Sequence, residues 1–140
     1  MLLNLFYLLP LIVGGVSILA DAPAEDHSVV LTDDGRGTPY VVDKTDSICG
    51  LSEPRQLTVP AKVNFEKLLK ATAEHKELVR KKIDPSSAKG TALLSRATRK
   101  VVAACEAVRV KGSYCSIWKT ISRRDGVAIP SVTADVLKKL

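Results

Sequence analysis

The stretch "NFEKLLKATAEHKELVRKKIDPSSAKGTALLSRATRKVVAACEAVRVKG", residues 64–112, decides the fold. In its first half Phe65, Leu68, Leu69, Thr72, Val79 and Ile83 recur at helical spacing. Glu66/Lys70 and Glu77/Lys81 are i,i+4 pairs with the acid first, the favourable order. Asn64 can cap this helix, because its side-chain oxygen can accept an orphan amide. The helix is expected to run from Phe65 to about Ile83. "DPSSAKG" ends it: the residue before a proline is pushed out of the α region, and Asp84 or Ser86 can start a second helix with Pro85 in its first turn. Leu94, Ala97, Val101, Ala104, Cys105 and Val108 then trace one face as far as Lys111, where Gly112 supplies a stop. Two helices joined by so few residues lie antiparallel, which predicts a helical hairpin over 65–111.

Outward from the hairpin the chain reads as short strands. Residues 57–64 are β-rich, with Pro60 marking an edge or a strand start. "SYCSIWKTI", 113–121, alternates in the manner of a strand, and "VAI", 127–129, offers another. A last helix is expected over 132–140, with Ser131 or Thr133 near its cap. Val132, Val136, Leu137 and Leu140 are too apolar to be meant for water, so this segment should dock. The fold class is α+β: an antiparallel helical hairpin on a small β body with a short C-terminal helix. Three short strands over a narrow core are marginal alone, so the body is expected to be completed by oligomerisation.

Upstream, the first twenty residues carry no charged side chain; Pro10 and Gly14-Gly15 weaken them as a membrane-spanning helix, and Ala20 and Ala22 offer small residues for a signal peptidase, so residues 1–20 read as a cleaved export signal, with a retained membrane anchor as the alternative. Residues 21–56 form an acidic linker with 8 acidic and 3 basic side chains. Within it, 28–32 and 39–42 about a Gly-containing turn suggest a β-hairpin. Export implies an oxidising compartment for Cys49, Cys105 and Cys115. Cys105 lies in the apolar face of the second helix and reads as a buried thiol, leaving Cys49 and Cys115 as the candidate bridge.

Catalytic constellations are thin. His27 lies in the acidic segment, and His75 is expected on a solvated helix face beside Glu74 and Lys76. The cysteines lack metal-ligand spacing, and "DDGRG" and "RRDG" lack the Gly-Lys-Ser/Thr of a phosphate loop. The chain is read as no enzyme, with no metal and no cofactor. What stands out is charge: residues 57–140 carry 18 basic and 7 acidic side chains. Lys67, Lys70, Lys76, Arg80, Lys81 and Lys82 belong to the first helix, and Lys89, Arg96, Arg99, Lys100 and Arg109 to the second. Such an imbalance costs self-repulsion and suits an anionic partner. Aromatic side chains other than Phe65 are missing from both helices, so the stacking platforms of single-strand binders are lacking and nucleic acid is not the expected partner.

The strand-to-helix passage Lys62-Val63-Asn64 in "AKVNFEKLL", the arm "LLSRATRKVVAACEAV", and the ending Val132-Thr133-Ala134-Asp135-Val136-Leu137-Lys138 together resemble the Skp/OmpH family of periplasmic chaperones. The resemblance implies a periplasmic homotrimer in which three chains pool their strands and each extends an α-hairpin. It also implies a holdase that keeps unfolded outer-membrane proteins soluble through basic arms: Lys67, Lys70, Lys76, Arg80, Lys81, Lys82, Lys89, Arg96, Arg99 and Lys100. Val63, Ile117, Ile129, Val132, Val136 and Leu140 would then form the oligomer core. An arm of 25 residues spans only about 38 Å, short for that family. The alternative is a structural envelope protein whose basic arms rest on anionic lipid headgroups.

Overall fold

The computed structural model describes residues 37–140. The expected signal at 1–20, His27 and the first strand of the expected hairpin, 28–32, lie outside the described residues. The chain is α+β. Its organising element is a strand of three residues, β4 (Ser116–Trp118), buried throughout. β2 (Ser47–Gly50) pairs antiparallel on one side, with Ser47 opposite Trp118 and Cys49 opposite Ile117, the register shifting around Ile48. β3 (Pro60–Lys62) pairs parallel on the other, with Ala61 opposite Ile117. Because side chains alternate along a strand, Ile117 and Trp118 enter different cores.

The Ile117 side is covered by helices. α1 (Phe65–Ala71), α3 (Ala88–Lys111) and a short helix α4 (Thr133–Leu137) enclose Ala61, Val63, Leu68, Val101, Ala104, Cys105, Val108, Val132 and Val136 with it. The Trp118 side gathers Tyr40, Leu57, Ile121 and Ile129. Here β1 (Tyr40–Val42) pairs antiparallel with β5 (Ile121–Arg123). The Trp118 indole donates to Ser116 Oγ at 2.7 Å, which satisfies both buried polar groups.

Several expectations need correction. The run expected as one strand over 113–121 is divided: Lys119 and Thr120 turn the chain out of β4 into β5, which pairs with β1. Residues 57–64 narrow to β3. Residues 127–129 form no strand; Ile129 is instead a core side chain. The segment after it serves the sheet, since Lys62 N–H donates to Pro130 O at 2.9 Å and Val132 N–H to Lys62 O at 3.0 Å. Residues 37–56, expected as linker apart from a strand at 39–42, supply β1 at that place with the buried Tyr40, and also β2; β1 pairs with β5. The last helix is five residues, 133–137, in place of 132–140.

The first long helix is also two. Thr72 is extended (φ −65, ψ 149) and buried. Its hydroxyl donates to Leu69 O at 2.7 Å, closing α1, and accepts His75 N–H at 3.2 Å, capping α2 (Ala73–Arg80). A threonine hydroxyl competes with the helical ladder in this way. The break resets the phase, so Leu78 is buried and Val79 is 60% exposed. Asn64 caps α1 as expected, accepting Lys67 N–H at 2.9 Å. At α3 the cap is Ser87, which accepts Gly90 N–H at 3.0 Å. Asp84 shapes the preceding turn by accepting the amide and the hydroxyl of Ser86, each at 2.8 Å. Gly90 is required, since a Cβ there would collide with the Asp84 carbonyl. The first half of α3 packs against α2, and its second half, from Val101, lies in the core against the sheet.

Candidate functional site

The helical glutamates decide what the basic residues are free to do. Glu66 takes Lys70 at 3.8 Å and Glu77 takes Lys81 at 2.7 Å, both i,i+4. Glu74 takes Lys100 at 2.5 Å, joining α2 to α3, and Glu106 holds Arg109 through two bonds of 2.8 and 2.6 Å. Each glutamate is thereby matched to one cation. Lys67, Lys76, Arg80, Lys82, Lys89, Arg96 and Arg99 have no carboxylate within ion-pairing distance among the described residues, and all are exposed. Arg99 instead donates to Ser95 Oγ at 2.9 Å.

Helical geometry gathers part of this charge. Positions 89, 96 and 100 of α3 fall within an arc of about 40° around the helix axis, and span about 17 Å along it. They lie toward α2: Glu74 feels Arg96 as well as Lys100, and Glu77 feels Lys89 and Arg80 besides Lys81. The Lys100 hydrogen bond holds the Glu74 carboxyl below its ordinary range, and the Lys81 hydrogen bond does the same for Glu77. Glu74 Oε2 is buried with no partner of its own. The result is a cationic seam between α2 and α3, in which the carboxylates stay ionised and outnumbered. Val79 adds an exposed apolar side chain on α2. His75, expected on a solvated face, is half-buried.

The residues expected to form an oligomer core occupy a different place. Val63, Ile117, Ile129, Val132 and Val136 are buried within one chain, and only Leu140, 41% exposed, is open. A side chain already enclosed by its own chain has no face left for a second copy. The expected Cys49–Cys115 bridge is not formed, and all three cysteines are free. Cys49 lies opposite Ile117 on the ladder, so Cys115 is its diagonal neighbour. Diagonal Cα atoms are about 7–8 Å apart, beyond the span a disulfide bridges. Cys115 also packs against the Trp118 core and Cys49 against the helical one.

An open groove of about 550 Å³, for which the residue pattern holds no signal, lies beside the N-terminal end of α1. Lys62, Phe65, Glu66, Lys119 and Asp46 line it, with the Lys119 ammonium 5.4 Å from the Phe65 ring centroid. Its two cations and two carboxylates leave it without a net charge to select a ligand, and its residues come together only through the sheet. Compared with models of protein families, with curated proteins and with solved structures, the chain matches none.

Proposed function

We propose that this chain is a non-catalytic binding module that holds unfolded, acid-rich polypeptide on the seam between α2 and α3. The observation that carries the proposal is the exhausted set of glutamates: six exposed cations on α2, α3 and the turn between them (Lys76, Arg80, Lys82, Lys89, Arg96 and Arg99) remain unmatched among the described residues, and α2 also exposes Val79. An extended chain advances about 3.3 Å per residue, so the unmatched cations from Lys89 to Arg99, about 15 Å along α3, match about five residues of client. Weak, multivalent ion pairing with a little apolar contact suits a holdase, which must release what it holds. Export, and clients among outer-membrane proteins, extend the proposal by way of the Skp/OmpH resemblance.

The manner of holding differs from enclosure by long arms. α2 is only about 12 Å long at 1.5 Å per residue, and half of α3 is committed to the core. The client therefore rests on a face, and in this proposal one copy suffices. The test is suppression of aggregation of an urea-unfolded outer-membrane barrel protein on dilution. Suppression by the wild-type chain, weakened by salt and lost in Lys89→Glu/Arg96→Glu/Arg99→Glu, supports the proposal. Suppression unaltered by the triple variant contradicts it, as does binding to vesicles of anionic lipid with no effect on the client.

A further inference from the structure

β2 approaches α3 closely around the second turn from the helix end. Gly50 (φ +85) has no room for a Cβ: one built there would strike the Cys115 carbonyl and come within 2.9 Å of Arg109 Cδ. Cys49, the preceding residue, packs into the helical cluster that contains the fully buried Cys105. β2 and α3 are in direct contact here, and Glu106, one residue along from Cys105, lies near enough to Cys49 to act on its thiol. These contacts join strand and helix at a point 56 residues apart in sequence, counted from Cys49 to Cys105. Cys115 is turned toward the other core.

We propose that Cys49 and Cys105 are an oxidisable pair whose disulfide bolts β2 to α3, leaving Cys115 as the single free thiol. The reaction is thiol–disulfide exchange with a small disulfide such as oxidised glutathione. Each protein thiol gives up its hydrogen, the Sγ–Sγ bond forms through a mixed disulfide, the glutathione S–S bond breaks, and two glutathione thiols leave. The folded chain resists this step from outside. Burial, then the neighbouring Cys105, pushes the Cys49 thiol up to about 12, and burial pushes Cys105 up to about 11. Thiolate is the attacking species, so the bond forms while the chain folds and exchanges slowly afterwards. Burial raises Cys115 too, but hydrogen bonds from Ser116 and from the Thr58 and Val59 backbone outweigh it, and its thiol sits below the ordinary value.

The test is refolding of the reduced full-length chain in a mixture of reduced and oxidised glutathione, followed by acid quenching, maleimide labelling, intact mass and peptide mapping. The expected product carries one maleimide, on Cys115, lacks two hydrogen atoms, and yields a peptide cross-linking Cys49 to Cys105. Cys115→Ser gives the same cross-link with no label. Three labels, a cross-link involving Cys115, or glutathione retained on Cys49 or Cys105 overturns the proposal. The wild-type measurement needs no variant to fold, so each result is decisive by itself.

Discussion

Thr133 Oγ1 accepts the backbone N–H of Asn64 at 3.0 Å, across 69 positions of sequence. Asn64 in turn caps α1 through its side chain, so one residue ties the start of that helix to the first residue of α4. Thr133→Val keeps the shape and removes the acceptor. The expected cost is about 1 kcal/mol of unfolding free energy, read from urea denaturation, with Thr133→Ser restoring it. Faster hydrogen exchange at the Asn64 amide should accompany the loss.

Val136 is fully buried among Ala61, Leu68, Val101 and Ile117. Val136→Ala should destabilise the chain by about 2 kcal/mol, seen as a lower denaturation midpoint. Because the core belongs to one chain, light scattering should give the same one-chain mass for the variant and the wild type.

Thr72 both closes α1 and caps α2. Thr72→Ala removes both bonds at a buried position, and an expected loss of about 1–2 kcal/mol follows from the cap. Thr72→Ser retains the hydroxyl and should recover most of it. The Glu74–Lys100 ion pair starts two residues beyond the cap, so amide protection in α2 should fall with the cap.

Acid should unfold this protein through its paired carboxylates. Glu74, Glu77 and Glu106 are each held below their ordinary value near 4.5, chiefly by hydrogen bonds from Lys100, Lys81 and Arg109 respectively. Their folded values lie beneath the unfolded ones, so the stabilisation is complete above about pH 4.5 and vanishes as pH falls through the depressed values. Thermal midpoints should be flat from pH 7 to 5 and decline below. Glu74→Gln should lower the midpoint at pH 7 and shrink the acid decline.

The second helix was legible because its signals are local. The face from Ala97 to Val108 and the stop at Gly112 depend on neighbours within a few residues, and they lie where periodicity puts them. The break at Thr72 was not, since hydrophobic spacing cannot say whether a threonine hydroxyl continues a helix or caps a new one; with it went the choice of Leu78 over Val79 as the buried residue. Strands of three residues carry too little alternation to be bounded, so β3 and β4 are placed only within longer runs, and the pairing of β1 with β5 depends wholly on long-range contacts. The basic character of the candidate site was plain from composition. Which cations are spent was only half visible: the i,i+4 pairs could be read directly, but the Glu74–Lys100 pair between helices requires the turn at 81–87. The interior placement of Val63, Ile117 and Val132 rests on α1, α3 and α4 closing over the sheet, which only long-range pairing arranges; β1 lies where a strand is expected at 39–42, but acidity and turn residues hide β2.

The central claim is that the α2–α3 seam is the binding surface. Its most direct measurement is a backbone-amide NMR titration of the full-length chain with an unfolded acid-rich polypeptide, at low and at high salt. The account predicts shifts concentrated at Lys76, Arg80, Lys89, Arg96 and Arg99 and abolished by salt. Shifts centred instead on the groove at Phe65 and Lys119, or a spectrum unmoved at saturating peptide, would contradict it.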